Sequence, residues 1–202
     1  MKDFGFYLVI TNPVVGYARC AEAAVRAGVR IVQLRMKHAT REDILREARE
    51  MRRVTRGTDT LFIVNDAPAL AAEAEADGVH VGQDDMSPAE VRAKFPQLKV
   101  VGLSTHNLDQ VRASWDQPID YIGVGPVYAT PTKDIPDPTL GPEMAGRMIA
   151  AARVPAVAIG GINAETLPPV LAAGARNFAV VRAVCQSPDP YSAICKLLEI
   201  HA

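Results

Sequence analysis

Five clusters of polar and charged side chains each follow an apolar run: Gln33-Leu34-Arg35-Met36-Lys37, Asn65-Asp66, Gln83-Asp84-Asp85, Thr130-Pro131-Thr132-Lys133, and Gly160-Gly161 with Val181-Arg182. In an extended strand the period of two turns Gln33, Arg35 and Lys37 to one side and Leu34 and Met36 to the other. An amide and two cations then face the same way. Asp66 and Asp85, in a chain without a histidine or cysteine cluster, suit a hard, oxygen-seeking ion. Mg²⁺, which shares its coordination with substrate phosphates, fits better than zinc. Mg²⁺ with Arg35 and Lys37 would nearly neutralise a diphosphate and stabilise it as a leaving group, so the expected chemistry is substitution with loss of diphosphate. The competing reading of Asp66 is a cap on a helix that starts at Ala67-Pro68. Gly160-Gly161 and Val181-Arg182 suggest a second anion site, and Thr130, Thr132 and Lys133 would lie between the two.

The elements that must position these residues alternate along the chain. Strands are predicted at Phe6–Ile10, Arg30–Arg35, Leu61–Val64, Gly78–Val81, Lys99–Leu103, Tyr121–Val124, Ala156–Ile159 and Asn177–Val181. Helical patterns lie between them, such as Arg41–Arg56. Thr40, Ser87-Pro88 and Asn163 act as start signals. Eight strand-helix units point to an α/β fold, a (β/α)8 TIM barrel over residues 1–202 as a single domain. An open doubly wound sheet is the alternative, but Gly123-x-Gly125 is followed by Pro126, which departs from a dinucleotide-binding G-x-G-x-x-G. If the barrel holds, the five clusters share its active face, where residues past the strand ends converge.

With 22 basic and 23 acidic side chains the protein lacks the general field that would hold nucleic acid or an anionic membrane. Small-molecule partners are expected, held by local clusters. The apolar run at the amino terminus is too short for a signal or membrane segment, and Cys20, Cys185 and Cys195 lack metal-binding spacing. Both features suggest a cytoplasmic protein with reduced cysteines, and a homo-oligomer stays open. His80, inside an apolar strand, reads as a satisfied interior residue. His106 reads as a helix-start or packing residue, with proton transfer as its other reading. Trp115 is expected on the outside of the barrel.

Nearly the whole chain resembles the thiamine-phosphate synthase (thiamine-phosphate pyrophosphorylase) family. The resemblance rests on Gln33-x-Arg35-x-Lys37, Asn65-Asp66, Gly78-Val-His-Val-Gly-Gln-Asp-Asp85, Gly102-Leu-Ser104-Thr-His, Gly123-x-Gly125-Pro126-x-Tyr128-x-Thr130-x-Thr132-Lys133 and Gly160-Gly161-Ile162. It implies a barrel enzyme that joins an aminopyrimidine diphosphate to a thiazole phosphate with Mg²⁺, releasing diphosphate. It further implies that Gln33, Arg35, Lys37 and Asn65 hold the pyrimidine diphosphate, that Ser104 and Lys133 contact it, and that Asp66 and Asp85 ligate the metal. Arg35, Lys37, Lys133 and Ser104 are then the catalytic candidates, and Thr130, Thr132, Gly161, Val181 and Arg182 form the thiazole-phosphate pocket. Met36 stands where the family has glutamate, and Arg182 where it has a small hydroxyl residue.

The implied mechanism is dissociative. The electron-rich pyrimidine stabilises a cation at its methylene as diphosphate departs, and the thiazole nitrogen then attacks. Three rivals remain: a thiazole tautomerase-like barrel, a Schiff-base aldolase using Lys37 or Lys133, and a non-catalytic phosphate-binding barrel. The turn-forming residues of segment 129–140 suggest a lid over the mouth.

Overall fold

Short runs of apolar residues, buried on both faces, form the strands β1 (Phe6–Ile10), β2 (Ile31–Leu34), β3 (Leu61–Asn65), β4 (Gly78–Val81), β5 (Val100–Thr105), β6 (Tyr121–Val124), β7 (Ala156–Ile159) and β8 (Asn177–Val180). The computed structural model describes residues 3–131 and 138–201. All eight strands pair in parallel with their sequence neighbours, and β8 returns to β1 to close the barrel. The connections run through α1 (Tyr17–Arg26), α2 (Arg41–Thr55), α3 (Pro68–Glu73), α4 (Pro88–Lys94), α5 (Leu108–Ala113), α6 (Gly141–Ala151) and α7 (Leu167–Ala172). The single turn α8 (Arg182–Cys185) and the longer α9 (Pro190–His201) follow β8. No described helix is long and apolar enough to cross a membrane.

The period of two divides the core. Phe6, Leu8, Ile10, Leu34, Phe62 and Val64 point outward into the layer between sheet and helices. Tyr7, Val9, Ile31, Ile63, Val100, Tyr121, Val157 and Ala179 fill the barrel interior. Because both faces are apolar, each strand reads as a continuous hydrophobic run. Phe4 closes the interior from below, with its ring edge-on to Tyr7 and Tyr121 at centroid distances of 6.1 and 5.9 Å.

Thr40 caps α2 by accepting the Asp43 N–H at 3.1 Å, and Ser87 and Glu90 form a reciprocal capping box at α4. Asn163 departs from its predicted role. Its Oδ1 accepts the N–H groups of Glu165 and Thr166 in a turn, and α7 starts later, beyond Thr166. The turn formed by Asn163 satisfies these donors before the helix begins, so the start signal marks a loop.

The amino-terminal ends of the strands are tied by side-chain carbonyl and carboxylate oxygens. Asp77 accepts the Phe62 N–H at 2.8 Å and Arg52 at 2.9 Å. Asp120 does the same for the Val101 N–H at 2.7 Å and Arg92 at 2.6 Å, while Asn177 Oδ1 accepts from Phe4 and Gly5. Each oxygen satisfies a backbone donor at a strand entrance that would otherwise lack a partner. This end of the barrel holds the fold together and leaves the opposite end for chemistry. Asp120→Ala is expected to cost about 1–3 kcal/mol in urea unfolding, because it strands the Val101 donor and removes a carboxylate from Arg92, whose guanidinium keeps the carbonyls of Pro118, Leu98 and Lys99. Turnover per folded molecule should be unchanged.

Candidate active site

At the carboxyl ends of the strands the barrel opens into a cavity of about 300 Å³, room for a small heterocycle and its phosphates but not for a polymer. Gln33, Arg35 and Asn65 line one side with Ser104. Gly161, Val181 and Arg182 line the other with Gly160, and Thr130 comes in from the loop after β6. These nine residues, all singled out in the sequence, therefore share one cavity. Met36 packs against the outer core, as its parity requires. Thr132 and Lys133, with half of the proposed lid, lie outside the described residues.

Lys37, Asp66 and Asp85 stand on the rim beyond β2, β3 and β4. Asp66 leaves β3 in the left-handed conformation, φ +59, and its carboxylate pairs with the Lys37 ammonium. It does not cap α3, whose N-cap position is Ala67 with no side-chain bond. The capping reading of Asp66 is thus corrected: its carboxylate is turned to its neighbours on the rim. Asp85 Oδ2 accepts the Gly82 N–H at 2.7 Å. Its carboxyl is held above the ordinary aspartate range, chiefly by burial and further by Asp66 beside it, against the opposing pull of Gly82 N–H and Lys37. Two neighbouring carboxylates whose repulsion Lys37 answers only in part form an oxygen donor set suited to a hard divalent cation. No third histidine, cysteine or carboxylate completes a cluster among the described residues, so an ion here would draw its remaining ligands from water or substrate.

The opposite side is shaped by Gly160 and Gly161, at φ +108 and +65. A Cβ on Gly160 would lie 2.7 Å from Pro126 Cα, and one on Gly161 would lie 2.6 Å from Tyr128 Cβ. The segment after β6 lies directly on this turn, with Val127 N–H donating to Ile159 O at 2.9 Å and Tyr128 N–H to Gly160 O at 3.0 Å. The pair is therefore needed for packing as well as for lining the cavity. Arg182 opens α8 and borders the cavity while staying solvent-exposed.

The cavity floor is polar and was not legible in the sequence. Gln33 Nε2 donates to the Tyr7 hydroxyl at 2.6 Å, and the Tyr7 and Tyr121 hydroxyls are 2.9 Å apart. Tyr121 OH lies 3.0 Å from His80 Nδ1, and His80 Nε2 lies 2.9 Å from Ser104 Oγ. His80 is thus satisfied, as expected, yet it also lines the cavity. His106 takes the helix-start and packing role expected of it. Its backbone N–H donates to Gln110 at the start of α5 and its Nδ1 lies 2.6 Å from Gly125 O, while the ring borders the cavity. Trp115 sits outside the barrel, with its Nε1 donating to Ala151 O and Arg153 over its ring.

A closed parallel barrel with cations and paired carboxylates on one side of its mouth and a glycine turn with an arginine on the other defines a (β/α)8 protein with a charged mouth. Residues 6–184 match the family model described as thiamine monophosphate synthase, and the chain belongs to that family. It is 45% identical over 179 residues to thiamine-phosphate synthase of Synechococcus sp. (strain WH7803), covering 89% of this chain and 50% of that protein. It is 36% identical over 202 residues to the Archaeoglobus fulgidus thiamine-phosphate synthase, covering 99% of this chain and 95% of that one. The chain spans about half the length of the cyanobacterial relatives it matches. Among solved structures, thiamine phosphate pyrophosphorylase from Pyrococcus furiosus superposes with a TM-score of 0.89 at 28% identity, covering 98% of this chain and 96% of that one.

The raised Asp85 carboxyl has a consequence for stability. A group whose folded pKa lies above its unfolded value stabilises the fold fully below the unfolded pKa, about 4 for aspartate, and that contribution is lost as pH rises through the folded value. In metal-free protein, the stability of Asp85→Asn minus that of the parent should therefore grow as pH climbs from about 4 through the raised pKa of Asp85. Chemical unfolding at a series of pH values in chelator measures it. A flat or falling difference would show that Asp85 is not strained by its surroundings.

Proposed function

We propose that this chain is a thiamine-phosphate synthase. It would condense 4-amino-2-methyl-5-(diphosphooxymethyl)pyrimidine with a thiazole phosphate, carboxylated or not, to give thiamine phosphate and diphosphate. The observation that carries this reading is one cavity lined by Gln33, Arg35 and Asn65 on one side and Gly161, Val181 and Arg182 on the other, in a member of this family. Two anionic substrates would meet there with their reacting atoms between the sides.

In this reading Gln33 and Asn65 orient the pyrimidine ring, while Arg35, Lys37, Ser104 and Lys133 hold its diphosphate. Asp66 and Asp85 would hold Mg²⁺, which supplies charge neutralisation at the departing phosphates. The bond from methylene carbon to diphosphate oxygen breaks with its electron pair going to oxygen, and the ring amine donates density to the methylene left behind. The thiazole nitrogen, positioned through its phosphate by Thr130, Thr132, Gly161, Val181 and Arg182, then forms the new carbon–nitrogen bond. No side chain becomes covalently attached. The protein contributes position and cationic stabilisation that strengthens as charge gathers on the leaving group.

A coupled diphosphate-release assay tests the reading. Release should require both substrates and Mg²⁺. Asp66→Asn and Asp85→Asn should each lower kcat/KM by about 10²-fold or more, and Arg35→Ala by a similar factor. Release that ignores the thiazole phosphate, or near-parental turnover in both aspartate variants, would contradict it. Borohydride trapping of a lysine adduct with a keto acid would favour an aldolase instead.

A further inference from the structure

The hydrogen-bonded chain on the cavity floor has a direction set by counting hydrogens. Gln33 Nε2 can only donate, so the Tyr7 oxygen accepts from it. Suppose Tyr121 also donated to Tyr7. The Tyr7 hydrogen would then have no acceptor among the described contacts, on a side chain only 1% exposed. A buried donor left without a partner is strongly disfavoured. Tyr7 therefore donates to Tyr121, Tyr121 donates to His80 Nδ1, and the imidazole hydrogen sits on Nε2 and is given to Ser104 Oγ. The serine hydrogen is then available to the cavity at one end. At the other end, Gln33 with its nitrogen engaged below presents its carbonyl oxygen. Burial pushes the hydroxyls of both Tyr7 and Tyr121 well above the ordinary tyrosine range, so the chain keeps its hydrogens at any working pH.

The backbone makes room for this arrangement. His80, Gly102 and Tyr121 are register partners on β4, β5 and β6. A Cβ on Gly102 would lie 2.2 Å from Tyr121 Cζ and 2.5 Å from His80 Nδ1, so only glycine lets the phenol and imidazole meet there. His80 and Tyr121 stack at 5.4 Å and 29°, which fixes the angle at which they bond.

We propose that Tyr7, Tyr121 and His80 are positioning residues forming a one-way hydrogen-bond relay. The relay locks Gln33 as an acceptor and leaves the Ser104 hydrogen to the cavity, and so favours a heterocycle bearing an exocyclic amine and a ring-nitrogen acceptor over its oxo counterpart. The choice of ring rests on the proposed function; the direction of the relay does not. A freely rotating glutamine amide could turn its NH₂ toward an oxo group and accept either ligand. Tyr7 prevents that by holding Nε2.

Two measurements test it. In ligand-free parent protein, ¹⁵N-histidine spectra should show His80, assigned by loss of its signal in His80→Gln, as the neutral Nε2–H tautomer. The Nδ1–H tautomer or an imidazolium would overturn the relay whether or not the proposed reaction is right. Calorimetric binding of the 4-amino and 4-oxo forms of 2-methyl-5-(hydroxymethyl)pyrimidine phosphate should favour the amine by about 10²-fold or more in the parent. In Tyr7→Phe the preference should fall about tenfold or more as the amide is released. Equal weakening of both ligands, with the preference intact, would mean that Tyr7 only packs the floor and would overturn the proposal. If neither form binds the parent, the proposed function and the ring selection both fail, and the tautomer still decides the relay.

Discussion

Asp66 and Asp85 bring like charges together at the ends of neighbouring strands, and the barrel permits no retreat. β3 and β4 are paired in register from Ile63–Gly78 to Asn65–His80, so the residues that follow emerge side by side. The left-handed turn at Asp66, the Gly82 N–H on Asp85 and the Lys37 ammonium keep the carboxylates there. Such an arrangement costs stability in the metal-free protein, and under the proposed function a divalent cation and an anion together would relieve it. In the proposed chemistry this corner of the rim makes diphosphate a good leaving group, and the rest of the mouth decides what it leaves from and what replaces it.

Closing the barrel makes that division of labour possible. The tied strand entrances at Asp77, Asp120 and Asn177 and the apolar interior layer beneath Tyr7 and Tyr121 supply rigidity at one end. The opposite rim can then carry clustered charge and strained turns. Between them lies the polar floor, where a row of buried hydrogen bonds crosses five strands. Gly102 on the floor and Gly160-Gly161 on the rim serve one purpose, letting chain segments or rings approach more closely than a side chain would allow.

Much of this was legible in the sequence. Parallel strands covered on both faces are continuous apolar runs with polar ends, which is why the predicted strands match those observed to within two residues at each end and why the parity argument turned Gln33 and Arg35 into the cavity and Met36 away from it. Loop geometry was less legible. The Asp66 side chain follows a positive φ that its residue type permits but does not announce, and Asn163 shows the same ambiguity between a turn and a cap. The relay was invisible because it depends on stagger between strands. Tyr7 and Tyr121 are 114 residues apart, and no periodicity within either strand shows that their hydroxyls meet. Their inward parity could have been noticed beside that of Gln33, but the partner could not.

The proposed chemistry turns on where the metal would sit. The most direct test is a crystal structure with the pyrimidine diphosphate and Mn²⁺ in place of Mg²⁺, with the ion located by its anomalous scattering. One ion is expected on carboxylate oxygens of both Asp66 and Asp85 and in contact with the diphosphate. An ion bound elsewhere, with the two aspartates turned from it and the diphosphate held by cations alone, would rule out the aspartate pair as the metal site.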